Sequence, residues 1–239
     1  MAYAGVDGCR KGWIMINFAE GEYSFGVYKE FRELAAENQD VDRILVDMPI
    51  GLSSADNPRT IDRLLREKLD ARKSTVFNPP CREAVYAEDS ESARKKNIAT
   101  EGKSLSIQSL SLRDKIRQID EYLQYPGKSK IELIESHPEF CFKQLNSGIT
   151  VLSKKSKPAG IKERLGILEQ YESRAGEIYR GIIGSTKRKD VKPDDINDAL
   201  CLCVTNKLAG RSGLSYLADN NLYDSRGIMM RIGYWRKEN

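Results

Sequence analysis

The 239-residue sequence has few of the residues that build zinc sites or disulfide frameworks. It contains a single histidine, His137, and five cysteines, an odd number with no CxxC pair. A structural zinc ion needs four such ligands at characteristic spacings, and this set does not provide them. We therefore expect no zinc site, and we expect the thiols to be reduced, as they are in cytoplasmic proteins.

Long apolar segments are also missing. No apolar run approaches the roughly 18 residues of a membrane span. The first residues, MAYAGVDG, have neither the basic nor the apolar region of a secretory signal. With 40% hydrophobic and 31% charged residues, the composition is that of an ordinary globular protein. We predict a cytoplasmic protein with no membrane partner, and we leave its oligomeric state open, with a homodimer as one outcome.

Positive charge is in slight excess and is clustered. The formal net charge is +4, and basic residues recur at 72–73, 94–96, 154–157 and 187–189. Such clusters usually lie in solvated loops, which is one interpretation. Several of them around an acidic site would instead suit a polyanionic ligand.

The pattern of short β-rich runs and helical segments predicts an α/β fold. Three runs joined by short Gly-containing turns predict antiparallel strands at 3–7, 13–18 and 23–28. A helix at 31–38 then leads to an apolar strand at 44–47, and this crossover implies a parallel fourth strand. IELIESHPEF predicts a fifth strand, and helices fill most of the remainder. We predict a mixed five-stranded sheet of order 3-2-1-4-5 with strand 2 antiparallel, flanked by helices. The chain, 1–239, is predicted as a single domain with a helical insertion, 52–130, between strands 4 and 5.

Acidic residues occur at the points where this fold would bring them together. Asp7 lies in the first strand and Asp47 ends the fourth, and neighbouring strands are only about 4.8 Å apart. In DDINDALCLCVT, Asp195 and Asp198 share one helical face. Each residue also has a simpler interpretation, since Asp7 could close a turn and Asp195 could cap the helix. Taken together, hard oxygen ligands without a histidine or cysteine cluster predict Mg²⁺ or Mn²⁺ as the cofactor.

Several motifs, in this order, resemble a known family between Ala4 and about Thr205. The family is a domain-of-unknown-function family whose members are described as predicted ribonuclease H-like nucleases, and the final helix is similar to that of bacterial Holliday-junction resolvases. The motifs are GVDGCRKGW, VDMPIGL, RTIDRLLREKLDARKSTVFNPPCREA, SIQSLSLRDKIRQID, ESHPEFCF, KKSKPAG and DDINDAL. The resemblance implies a ribonuclease H-like fold. It makes a metal-dependent nuclease the leading hypothesis, an enzyme that hydrolyses phosphodiester bonds of nucleic acid by a two-metal carboxylate mechanism.

The expected site residues follow from the motifs. Asp7, Asp47, Asp195 and Asp198 are the expected metal ligands and catalytic residues. Glu135 and His137 end the fifth strand and are further catalytic candidates, with His137 as a proton shuttle. Alternatively, Glu135 pairs with an arginine and His137 only organises the turn before Pro138.

A second set of residues is expected to bind substrate. Arginine matches phosphate oxygens geometrically, so the cations of the insertion predict a phosphate-binding wall. The alternative is a salt-bridge network that holds the insertion in place. The expected substrate-binding residues are Arg10, Arg59, Arg66, Lys73, Ser74, Arg82, Gln108 and Lys155.

Two rival functions use the same residues. One is a phosphohydrolase or phosphotransferase that acts on a small nucleotide or phosphate ester. The other is a non-catalytic nucleic-acid-binding module, although unused like charges in one cleft would destabilise the fold. The sequence leaves open whether the nucleic acid is DNA or RNA, and in which strand state.

Overall fold

The computed structural model describes residues 1–125 and 130–237, and these form a mixed α/β structure. Residues 126–129 of the predicted insertion and 238–239 of the predicted domain lie outside the described residues. The described strands are β1 Tyr3–Cys9, β2 Gly12–Ala19, β3 Glu22–Tyr28, β4 Arg43–Val46, β5 Glu132–Glu135, β6 Ser215–Tyr223 and β7 Met229–Tyr234. The described helices are α1 Phe31–Glu37, α2 Ile61–Leu69, α3 Arg82–Val85, α4 Ser90–Glu101, α5 Ile107–Gln124, α6 Pro138–Leu145, α7 Pro158–Glu169, α8 Ala175–Ser185 and α9 Pro193–Ser212.

The chain divides into two compact units. The first is built from the described parts of 1–47, 129–216 and 233–239, and the second from 48–128 and 217–232. The second unit contains most of the segment predicted as an insertion, together with a C-terminal segment.

The first five strands have the order predicted from the sequence. Strand β2 is antiparallel to both β1 and β3, whereas β4 is parallel to β1 and β5 is parallel to β4. The parallel pairing aligns Val6 of β1 with Val46 of β4, and Val46 in turn with Glu135 of β5. The order 3-2-1-4-5, with an antiparallel second strand, is confirmed.

The prediction of five strands is wrong for the C-terminal segment. Two further strands, β6 and β7, are described in that segment, so the described residues form seven strands in place of the predicted five. The sequence of β6, SYLADNNLY, contains an Asp-Asn-Asn triplet that is typical of turns. The triplet hides the strand pattern on either side of it.

Helix α9 packs on β1, β2 and β4 and forms the centre of the core of the first unit. Residues 199–204 of α9 are fully buried. Gly5 permits this contact, because a Cβ there would lie 2.2 Å from the backbone oxygen of Ala199 and 2.2 Å from the backbone nitrogen of Cys203. Despite this apolar surface, no described helix, α9 included, is apolar over a length that would span a bilayer.

Helix α1 packs on β2 and β3. Its Phe31 makes an edge-to-face contact with Trp13 of β2 at a centroid distance of 5.3 Å, and both rings are fully buried. Helices α6, α7 and α8 pack against α9. Strand β1 lies between β2 and β4 and under α9, and it is buried along almost its whole length.

In the second unit, the guanidinium of Arg82 joins distant segments. It donates to Oδ2 of Asp120 in α5 at 2.6 Å and to Oδ2 of Asp224 at 2.5 Å. Asp120 also accepts from the hydroxyl of Tyr86 at 2.7 Å, and Asp224 accepts from the backbone N–H of Leu52 at 3.0 Å. This buried charge network ties α3 to α5 and to the C-terminal segment.

A candidate metal centre

Two neighbouring strands place Asp7 and Asp47 side by side. Asp7 lies within β1 and is buried, and its Oδ1 accepts the backbone N–H of Gly8 at 2.7 Å. Asp47 follows the last residue of β4, and its backbone N–H donates to the carbonyl of Val6 at 3.0 Å. The parallel register therefore brings the two carboxylates to the same end of adjacent strands.

Helix α9 supplies the third carboxylate. One oxygen from each of Asp7, Asp47 and Asp198 lies within 4.8 Å of the other two, so the three residues could hold a metal ion. Asp198 is completely buried, and its Oδ1 accepts no hydrogen bond from the described residues. A buried carboxylate oxygen without a donor is costly unless a cation or a proton satisfies it. The oxygen donor set and this open position both fit a hard divalent cation.

Burial and mutual repulsion perturb the three carboxylates. The pKa of Asp7 is raised well above its usual value by burial and then by the charges of Asp47 and Asp198. Burial raises the pKa of Asp47 to about 7, with further increases from Asp198 and Glu135. Burial also raises the pKa of Asp198. Without a bound cation, the cluster therefore tends to retain protons near neutral pH.

A lysine contributes the nearest positive charge. Nζ of Lys155 donates to Oδ2 of Asp198 at 2.5 Å, and the ammonium opposes the rise in the pKa of both Asp198 and Asp47. The pKa of Lys155 is itself raised, chiefly by the charge of Asp198. One ammonium beside three carboxylates still leaves an excess of negative charge when all three are ionised.

A buried ion pair holds the loop that carries Lys155. Arg164 of α7 is fully buried and donates to both carboxylate oxygens of Glu139, at 2.7 and 2.8 Å. Its other terminal nitrogen donates to the carbonyls of Ser153 and Gly160, each at 3.1 Å. Arg164 therefore fixes both ends of the loop around Lys155.

Sequence reasoning missed this pair, although a signal was present. Arg164 lies at helical spacing from Ile161, Ile167 and Leu168, within an apolar stripe. A charged residue in such a stripe predicts a buried partner. The partner, Glu139, belongs to ESHPEFCF, the same motif as Glu135 and His137.

Asp195 lies outside the group of three ligand oxygens. Its Oδ2 accepts the backbone N–H of Lys192 at 2.9 Å, which caps the N-terminus of α9. Burial raises the pKa of Asp195 to about 6, and its charge raises the pKa of Asp7. Asp195 is thus close enough to affect the cluster electrostatically, while its hydrogen bond is the one expected of a helix cap.

Glu135 and His137 are positioned by β5 and α6. Glu135 is buried at the end of β5, and its charge raises the pKa of Asp47. His137 is half-buried and is the N-cap residue of α6, whose first residue is Pro138. Glu135 therefore has an electrostatic link to the cluster, and His137 occupies the turn position that the alternative interpretation assigned to it.

The predicted substrate-binding residues fall into three groups. Lys155 contacts the acidic cluster, as described above. Exposed positions are occupied by Arg10, Lys73, Ser74 and Gln108.

Three arginines of the second unit are engaged with protein groups. Arg59 pairs with Asp62 at 2.8 Å, and Arg66 donates to Asn78 Oδ1 at 2.6 Å and to backbone carbonyls. Arg82 binds two aspartates, as described above. These contacts are of the kind expected of the alternative interpretation, a network that stabilises the segment.

The fold and the site define an α/β protein with a buried cluster of three aspartates that could hold a metal ion. A family model described as "Protein of unknown function (DUF429)" matches residues 5–221, so the chain belongs to that family. The comparisons with curated proteins and with solved structures gave no match. The match extends from β1 into β6 and includes every residue of the cluster.

Proposed function

We propose that the protein is a metal-dependent nuclease with a ribonuclease H-like fold. The observation that carries the proposal is the convergence of Asp7, Asp47 and Asp198 from β1, β4 and α9. The strand order 3-2-1-4-5 and the parallel β1–β4 pair support the fold assignment.

The three carboxylates are the residues that would hold the ion, and Mg²⁺ or Mn²⁺ suits their oxygen donors. When bound, such an ion lowers the pKa of water and stabilises negative charge on a phosphate group. Glu135 and Asp195 are the next candidates for a second ion, because their charges raise the pKa of Asp47 and of Asp7, respectively. The two-metal form of the mechanism remains a prediction.

Lys155 has two roles in this proposal. Its ammonium holds Asp198 by a hydrogen bond, and it is the cation nearest to the acidic cluster that could contact a phosphate oxygen. The Glu139–Arg164 pair keeps its loop in place. A proton-shuttle role for His137 remains a prediction.

The test is cleavage of a labelled panel by the purified protein in Mn²⁺, Mg²⁺ or EDTA. The panel contains single- and double-stranded DNA and RNA, an RNA–DNA hybrid, a four-way junction and the small ester p-nitrophenyl phosphate. Asp7→Asn removes one ligand of the cluster, and Asp40→Asn, the same change at an exposed aspartate, is the matched control.

We expect metal-dependent cleavage of at least one nucleic acid by the wild type and by Asp40→Asn, and its loss in Asp7→Asn. Turnover of only the small ester would replace the nuclease by a phosphohydrolase. Binding of nucleic acid with no cleavage of any substrate in either metal would leave a non-catalytic binding module.

A further inference from the structure

A surface groove of about 570 Å³ lies between α7 and α8 in the first unit. We call it the α7–α8 groove. Its lining includes Lys162 and Leu165 of α7, Tyr179, Arg180 and Ile183 of α8, and Arg188 from the segment before α9. None of these residues belongs to the acidic cluster, and Arg188 belongs to the basic cluster 187–189 noted in the sequence.

The charge of the groove is predominantly positive. Lys162, Arg180 and Arg188 are exposed and make no salt bridge with any residue that the structure describes, and Glu169 is the one carboxylate among the lining residues. Glu169 and Arg180 both approach Gly176, because a Cβ added to that glycine would lie 2.5 Å from Oε1 of Glu169 and 3.3 Å from Nη1 of Arg180. The two side chains are therefore close to each other. Asp194, next to the lining residue Pro193, also acts electrostatically on Tyr179. Three cations therefore face two carboxylates, and the remaining excess of positive charge favours an anionic ligand.

Between the cations, the groove is apolar. Leu165 and Tyr179 are half-buried and pack on the core, whereas Ile183 is 39% exposed. A ligand that fits must therefore offer flat or apolar groups as well as negative charges. A single strand of nucleic acid has both, because its bases are unstacked and every base has an apolar face. A duplex presents chiefly phosphates to such a surface, since its bases are stacked inside.

The groove extends to the segments that carry the acidic cluster. Ser156 lines it and is adjacent to Lys155, whose Nζ contacts Asp198. Pro193 also lines it and is the first residue of α9. Asp198 lies five residues further along α9, which corresponds to about 7.5 Å along the helix axis. One residue from each of two basic clusters noted in the sequence, Ser156 of 154–157 and Arg188 of 187–189, therefore lines the groove.

We propose that the α7–α8 groove binds single-stranded nucleic acid and directs it towards the acidic cluster, an inference that rests on the proposed nuclease function for its biological meaning. The phosphates contact Lys162, Arg180 and Arg188, and at least one base lies against Tyr179 and Ile183. The substrate class that follows from this proposal is a single strand, or a nucleic acid with a single-stranded segment.

The test is binding of a fluorescent 15-nucleotide single strand, followed by anisotropy in EDTA, where no cleavage interferes. The variant changes Lys162, Arg180 and Arg188 to glutamine. The control changes Lys29, Lys96 and Lys237 to glutamine, which removes the same charge from exposed positions outside the groove. Each lost phosphate contact lowers the salt dependence of single-strand binding by about 0.7 in log–log slope. We expect the groove variant to lose about 2 units of slope and the control to lose less than one.

A second ligand tests the apolar part without changing the protein. An abasic strand of the same length has the same phosphates but no bases, and we expect the wild type to bind it at least about five-fold more weakly. Equal affinity for the two strands, or tighter binding of a duplex, would contradict the single-strand assignment. Groove and control variants with the same affinity and slope would overturn the site itself.

The two proposals can fail separately. A wild type that binds the strand through the groove but cleaves nothing in Mn²⁺ would refute the nuclease and retain the groove. Metal-dependent cleavage of single strands with an unchanged kcat/KM in the groove variant would retain the nuclease and refute the groove.

Discussion

Replacing Asp47 with asparagine should stabilise the metal-free protein at pH 8. Burial and neighbouring charges raise the pKa of this carboxyl to about 7, whereas a free aspartate has a pKa near 3.9. Between these values the folded state holds a proton that the unfolded state has released, so stability falls as the pH rises through this range. Above about pH 7 the whole cost is present. Asparagine has nearly the same shape and no charge, and it therefore removes that cost.

The magnitude follows from the pKa difference. About three pKa units correspond to about 4 kcal/mol, which is an upper limit because the neighbouring carboxyls share the protons. We expect a gain of about 2 kcal/mol at pH 8, or about 4–8 °C in Tm for a chain of this size. At pH 4, where the native carboxyl is already protonated, the gain should be close to zero.

The assay is thermal unfolding in EDTA from pH 4 to pH 8, repeated with excess Mn²⁺. A ligand at 100 times its Kd raises the free energy of unfolding of the wild type by about 2.7 kcal/mol. Asp47→Asn should show little of this stabilisation by Mn²⁺. The variant is then more stable than the wild type without metal and no more stable with it. Equal destabilisation of the variant at pH 4 and pH 8 would refute the reasoning, because it would mean that the carboxylate serves the fold.

Three further changes test the supports of the site. Gly5→Ala should destabilise the protein by about 3 kcal/mol or more, measured by urea unfolding, because its Cβ would overlap the backbone of α9; a near-neutral effect would contradict the close strand–helix packing. Arg164→Ala should cost about 3–5 kcal/mol because it leaves Glu139 buried without its cation, and Glu139→Gln in the same background should restore part of the loss; no recovery would contradict the ion-pair explanation. Lys155→Met should tighten Mn²⁺ binding on the order of ten-fold, measured by calorimetry, because it removes a positive charge beside Asp198. The same variant should cleave phosphodiesters more slowly. Weaker Mn²⁺ binding would show that Lys155 is needed to hold Asp198 in place.

The order of the first five strands could be predicted because its signals are local. Short turns fix the three antiparallel strands, and a helix between two strands requires a crossover. This order makes β1 and β4 neighbours, and the observed register, with Val6 opposite Val46, then brings Asp7 and Asp47 to the same end of the two strands. Strand β6 was not predicted because a turn-like triplet interrupts its pattern.

The different positions of Asp195 and Asp198 depend on more than helical spacing. Both lie on one face of α9, but Pro193 begins the helix and places Asp195 at the third position, where a carboxylate reaches back to the Lys192 N–H. That capping geometry was readable from the sequence. The contact between Lys155 and Asp198 was not, because 43 residues separate them and no local pattern links a loop to a helix.

The most direct test of the metal centre is a calorimetric titration of the metal-free protein with Mn²⁺ at pH 8. We expect the wild type and Asp40→Asn to bind the ion, and Asp7→Asn and Asp198→Asn to lose binding while they keep a wild-type circular dichroism spectrum. No binding by the wild type, or equal binding by all four proteins, would contradict the assignment of Asp7, Asp47 and Asp198 as a metal site.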